Sequence, residues 1–131
     1  MKALLSILGI LISLQNPAQE TRPQAQQIEK EEDRCCCSTY ETEQCLFKVE
    51  KSVDAELDRL YRKVVKDWGP KDAAILRKAE RFWIEYRDAN CEAETATYDG
   101  GSIAPSISGS CRIRLTRQRI EEIKSIYFQS H

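Results

Sequence analysis

Between Leu46 and Trp68 the large apolar residues fall at Leu46, Val49, Val53, Leu57, Leu60, Val64 and Trp68, with spacings of 3, 4, 4, 3, 4 and 4. That rhythm is one face of an α-helix, and it excludes a strand, whose faces alternate every second residue. Phe47, Tyr61 and Val65 widen the stripe. Lys48, Glu50, Lys51, Asp54, Glu56, Arg59, Arg62 and Lys66 read as its solvated side. Gly69-Pro70 should end this helix, with Gly in a left-handed cap, and Pro suits the first turn of the next. A second helical pattern follows from Pro70 to about Cys91, with Ile75, Leu76, Ala79, Phe82, Trp83 and Tyr86 as its apolar residues. A third begins near Cys111 and carries Ile113, Thr116, Ile120, Ile123 and Tyr127, with Leu115 and Ile126 beside them. The two-residue break at Gly69-Pro70 implies antiparallel neighbours. The expected fold is all-α, a small antiparallel three-helix bundle. No alternating strand pattern exceeds the ambiguous Ser102–Ser108 stretch.

Helices two and three are separated by Glu92–Ser110, a segment rich in Gly, Ser and Thr with one Pro. It reads as a long loop, and long loops in compact domains are usually functional or disordered. Upstream, residues 1–18 combine Lys2, an apolar run from Ala3 to Leu14, and Asn16-Pro17-Ala18 before a cleavage point, the pattern of a secretory signal peptide. The run is shorter than the ~20 apolar residues of a membrane span, so a retained anchor is the lesser reading. Residues 19–34 are polar, with Ile28 the one sizeable apolar side chain, and read as a linker. The folded domain is expected over residues 35–128, in a secreted or periplasmic protein.

Export decides how the six cysteines are read, because thiols outside the cytosol pair. In an antiparallel bundle Cys45, Cys91 and Cys111 gather at one end, together with Cys35, Cys36 and Cys37. Cys91–Cys111 is the first expected bridge, since it would bracket the long loop. Cys45 with one of Cys35, Cys36 and Cys37 is the second, and Cys45–Cys91 is geometrically open as well. A thiolate metal site at Cys35–Cys37 with Cys45 is disfavoured, because adjacent cysteines seldom converge on one ion and no C-x-x-C pair is present.

Composition narrows the function classes. Lys and Arg number 20 against 21 Asp and Glu, so no general nucleic-acid footprint exists. The single His is residue 131, which leaves no His base for a nucleophile. No Gly-rich phosphate motif occurs. The expectation is a non-enzymatic protein without a cofactor or metal.

Four segments in order carry a resemblance. Trp83-Ile84-Glu85-Tyr86-Arg87-Asp88-Ala89-Asn90-Cys91 is similar to the W-x-x-[YF]-R-D-x-x-C run of the LprI-like lysozyme inhibitor family. Gly100-Gly101-Ser102 resembles its loop, Cys111 to Arg119 its C-x-x-x-L-T-x-x-R segment, and Asp54 to Tyr61 its D-x-x-L-N-x-x-Y segment. The resemblance spans roughly residues 35–127. Asp58 stands where the family usually has Asn, Glu80 where it usually has Gln, and the lipid-attachment Cys of its lipoprotein members is absent. The resemblance implies a protein partner, a lysozyme, and inhibition of it. A structural envelope protein with another partner is the alternative.

Physical reading assigns roles around these motifs. Arg87 should pair with a carboxylate and Asp88 should receive amides, with Thr116 and Arg119 in the same network and Trp83 and Tyr86 beside it. Trp83 and Tyr61 read as core anchors. Binding is expected at the bundle end that bears the loop. Tyr98 and Asp99 offer contacts, Gly100, Gly101 and Ser102 allow close backbone approach, and Asn90 and Arg112 stand nearby.

Overall fold

The computed structural model describes Lys30 and residues 34–35, 38–98 and 100–128. The proposed leader, most of the linker, Cys36, Cys37, Asp99 and His131 lie outside the described residues. Three long helices follow one another among the described residues: α1 (Thr39–Asp67), α2 (Pro70–Ala96) and α3 (Ala104–Phe128). Among the described residues there is no strand, and no helix is long and apolar enough to cross a membrane.

A capping box starts α1. The Glu41 N–H donates to Ser38 Oγ at 3.3 Å, and the Ser38 N–H donates to Glu41 Oε2 at 3.1 Å. The Ser38 hydroxyl also donates to Glu41 Oε2, at 2.7 Å, and this bond together with that of the Ser38 N–H holds the Glu41 carboxyl below the usual carboxylate range. At the far end the Trp68 N–H closes on the Val64 carbonyl at 3.0 Å. Gly69 does not take the left-handed cap expected of it. Its φ and ψ are −66° and 159°, and it serves as the N-cap of α2. The following Pro70 is the reason, since the residue before a proline is pushed to extended backbone.

The helices α2 and α3 are longer than their apolar patterns suggested. The connection between them is Thr97–Ile103, and most of the expected Glu92–Ser110 loop is helical. Small and hydroxylated residues misled because their role here is packing. The Thr95 hydroxyl bonds back to the Cys91 carbonyl at 2.6 Å inside α2. Pro105 lies in the first turn of α3, where its missing N–H costs nothing. A Cβ on Gly109 would stand 3.5 Å from Leu46 Cβ, so the small residues let α3 lie close on α1.

Contacts between helices fix their relative order. Along α1 and α3 the partners rise together: Glu50 with Arg112, Asp54 with Thr116, and Glu56 with Lys124. Along α2 and α3 they run oppositely: Glu80 with Arg119, Arg87 with Thr116, and Cys91 with Cys111. The central element is α3, packed on both others, while α1 and α2 meet only briefly.

The core is split. Leu46, Val49, Val53 and Ile113 form one apolar cluster, and Leu57, Val64, Leu76, Ile120 and Ile123 form another, with Trp68, Trp83 and Tyr127 against the second. The Asp54–Arg87–Thr116 group lies between them. The face of α2 turned inward is Ala73, Leu76, Glu80, Arg87 and Cys91. Ile75, Phe82 and Tyr86, expected in the core, are instead 61%, 58% and 56% exposed, and Ala79 is exposed with them.

Candidate functional site

Arg87 and Arg119 organise the middle of the bundle. Arg87 Nη1 donates to Asp54 Oδ1 at 2.9 Å and to Thr116 Oγ1 at 3.2 Å, while its Nε donates to Asp88 Oδ1 at 3.1 Å. Arg119 directs Nε and Nη2 at Glu80 Oε2, at 3.1 and 3.0 Å, and Nη1 at Glu122 Oε2 at 3.2 Å. Both guanidiniums lie over the Trp83 ring, 5.3 and 5.8 Å from its centroid. Asp88 therefore meets guanidiniums rather than amides, its second being Arg112 at 3.6 Å. Tyr86 lies outside this group, with its ring in solvent.

Three acidic residues were missed or misplaced in the sequence reading. Asp54, with its side chain still 43% exposed, receives Arg87, whereas Glu56 is not on a solvated face but buried against Lys124 at 3.4 Å. Glu80 is the buried partner of Arg119. A signal for Glu80 was present. It lies eleven residues before Cys91 and seven before Arg87, and so shares the helix face that Cys91 turns toward α3.

The bundle end has a different character. Two disulfides brace it, Cys35–Cys45 and Cys91–Cys111. Asn90 Nδ2 lies 3.9 Å from Cys111 Sγ, and Arg114 reaches across from α3 to Glu94 at 2.7 Å. The turn between α2 and α3 is a chain of short bonds. Tyr98 N–H donates to the Thr95 carbonyl, Gly101 N–H to that of Tyr98, and Ala104 N–H to that of Gly101, each at 2.9–3.0 Å. Gly100 has φ 68°, a left-handed conformation that suits glycine. At Gly101 a Cβ would stand 3.2 Å from the Tyr98 carbonyl oxygen, so a side chain there would crowd the turn.

Tyr98 and Ile103 project from this turn, and Tyr40 projects from the first turn of α1 beside it. A groove of about 620 Å³ lies among Tyr40, Glu43, Thr95, Gly100, Gly101 and Ser102. A second groove, about 530 Å³, follows the seam of α1 and α3 past Phe47, Glu50 and Arg112 and shares Glu43, Pro105 and Ser108 with the first. The structure thus places Gly100, Gly101 and Ser102 on one groove and Arg112 on its neighbour. Asn90 stands back on the disulfide. Tyr40, Glu43 and Ile103 were not singled out in the sequence. Nothing in their spacing marks them, because the end of a helix joins the turn only in three dimensions.

Burial pushes the Glu50 carboxyl up, and Asp54 adds to this, while Arg112 at 3.6 Å and Arg87 oppose it. A carboxyl whose folded pKa lies above its unfolded value holds its proton more tightly when folded. Its contribution to stability therefore grows as pH falls through the folded pKa. Glu41, held low, contributes oppositely and loses its stabilisation as pH falls through its own folded pKa. In a side-chain carboxyl NMR titration the two should therefore fall on opposite sides of 4.5, Glu50 above and Glu41 below. Glu50→Gln should melt no lower than the parent at neutral pH. Coincident midpoints would refute the burial argument. Among the described residues no group of three His, Cys, Asp or Glu is arranged to hold a metal ion.

Residues 35–123 match the model of a family described as "Lysozyme inhibitor LprI". An uncharacterized protein of Rhizobium meliloti (strain 1021) is 32% identical over 139 residues, an alignment covering 96% of each chain. No solved structure matches. Matched across all three helices and both disulfides, the chain belongs to the LprI lysozyme inhibitor family.

Proposed function

We propose that this protein is exported, binds a lysozyme and inhibits it through the bundle end that carries the Thr97–Ile103 turn. The observation that carries the reading is a groove lined by Tyr40 and by Gly100, Gly101 and Ser102 on a doubly bridged end, with Tyr98 and Ile103 exposed on the same turn. Tyrosines supply large contact area at low rotamer cost. A turn already tied by hydrogen bonds and held near a disulfide loses little freedom on binding, which favours affinity. Glu43 and Glu50 along the grooves, with Asp99, offer negative charge to a basic enzyme surface. The family match supports a lysozyme as the partner, and the disulfides fit an oxidising compartment such as the periplasm or the exterior. The turn is short against the ~20–30 residues that a stable interface takes from each side, so the α1–α3 seam with Arg112 contributes the rest.

The test is lysozyme turnover of cell-wall substrate, titrated with parent protein and with Tyr98→Ala/Ile103→Ala. Truncating two exposed anchors should cost about 2–4 kcal/mol of binding, roughly 30- to 1,000-fold in potency. Arg62→Ala, on an exposed stretch of α1 away from the turn, should leave potency unchanged. Equal potency of the folded double variant would remove the turn from the interface, and inactivity of the parent would remove lysozyme as the partner.

A further inference from the structure

The face of α2 turned away from the bundle holds Ile75, Ala79, Phe82, Tyr86, Ala89 and Ala93, all exposed. Their spacings are 4, 3, 4, 3 and 4, the rhythm of a helix seam that packs against one other helix. Among the described residues nothing covers this seam. On one side it adjoins Leu76 and Trp83, which pack into the bundle. The other edge carries Lys71, Lys78, Glu85 and Glu92, seven residues apart. All four are exposed, and none forms an ion pair with another described residue. Lys78 lies over the Phe82 ring at 5.9 Å.

We propose that α2 pairs with α2 of a second copy, antiparallel, about a two-fold axis near Phe82. The charge order singles out this partner and orientation. In an antiparallel pair the edge residues of one helix face the same edge of the other. Lys71 then meets the partner's Glu92, and Lys78 meets the partner's Glu85, so the two-fold axis generates four complementary pairs from one edge. The same register sets Ala79 against the partner's Phe82 and Ile75 against the partner's Tyr86, small against large in the central layers. A parallel pair would point the charged edge at the side of Leu76, Trp83 and Asn90, which is turned into the bundle, and would match no charge. From residue 71 to 93 the seam is about 33 Å long at 1.5 Å per residue. Such a two-helix contact sits at the small end of interface sizes, and the dimer is therefore reversible. It lies on a different helix face from the Thr97–Ile103 turn and does not depend on the lysozyme reading.

Sedimentation equilibrium of the purified, oxidised full chain should show mass doubling with rising concentration. The exposed swaps K71E/K78E and E85K/E92K should each weaken association at least tenfold while circular dichroism stays helical. Mixed one to one, they should form a heterodimer tighter than either variant with itself. Phe82→Glu should be monomeric and should still inhibit whatever the parent inhibits. A parent that stays monomeric throughout overturns the proposal and leaves the seam to another segment or protein. Swaps that dimerise like the parent, or a mixture that does not associate, overturn the antiparallel pairing.

Discussion

Glu80→Ala should lower the stability of the fold by about 3 kcal/mol, the lower end of the range for breaking a buried ion pair. The side chains of Arg119 and Glu80 are only 12% and 10% exposed. The carboxylate takes both Nε and Nη2 of the guanidinium. Removing it leaves a cation in a largely dry site over Trp83, with the more exposed Glu122 as its remaining carboxylate. The penalty is thus chiefly the desolvated charge left behind, and replacing both partners with apolar residues should restore most of it. Glu80→Leu/Arg119→Met is expected within about 1.5 kcal/mol of the parent. The exposed Arg62–Asp58 pair is the contrast. Asp58→Ala should cost no more than about 0.5 kcal/mol, because water already solvates both charges. Urea unfolding of the four proteins decides the matter. A Glu80→Ala cost below that of Asp58→Ala would mean that the buried pair is not a structural anchor.

Cys91→Ala/Cys111→Ala is expected to cost about 3 kcal/mol from chain entropy, since the bridge closes a separation of 20 residues. Packing adds to this. Both cysteines are fully buried with Leu115 and Trp83 around them, so truncation leaves a cavity as well as a less constrained unfolded ensemble. Cys35–Cys45 closes a separation of 10, and halving the loop removes only about 0.6 kcal/mol of the entropic effect. The larger difference should come from burial, because Cys35 lies only partly covered at the edge of its cluster. Thermal melts of the two alanine pairs should therefore rank Cys91/Cys111 well below Cys35/Cys45. Equal melting temperatures would show that the apolar surroundings of Cys91 and Cys111 contribute nothing. Under the proposed function, losing Cys91–Cys111 should also weaken inhibition, because the turn it supports is ordered before binding in the parent.

The apolar rhythms of α1 and α3 were legible because most of their buried residues are apolar: Leu46, Val49, Val53, Leu57 and Val64 on one, Ile113, Ile120 and Ile123 on the other. On α2 the same counting chose the wrong face. Ile75, Phe82 and Tyr86 make the more hydrophobic stripe, yet the buried one includes Glu80 and Arg87. Hydrophobicity cannot rank a face whose charges are neutralised by residues 33 and 39 positions away, as Asp54 and Arg119 neutralise these. Cys91 held better information, for a bridging cysteine must turn toward its partner helix, and it carries Arg87 and Glu80 with it.

Sequence alone thus determined the helical class, the break at Gly69-Pro70 and the motifs shared with the family, because each rests on local periodicity or turn chemistry. Helix ends at Ala96 and Ala104 were beyond it. Ser, Thr and Gly read as loop residues until α1 supplies a surface that only small side chains can approach. The approach of Tyr40 to Gly100, Gly101 and Ser102, and the exposure of the α2 seam among the described residues, were likewise decided only in three dimensions. They depend on how α3 packs against both other helices, where Arg87 pairs with Asp54 and Thr116 and Arg119 pairs with Glu80.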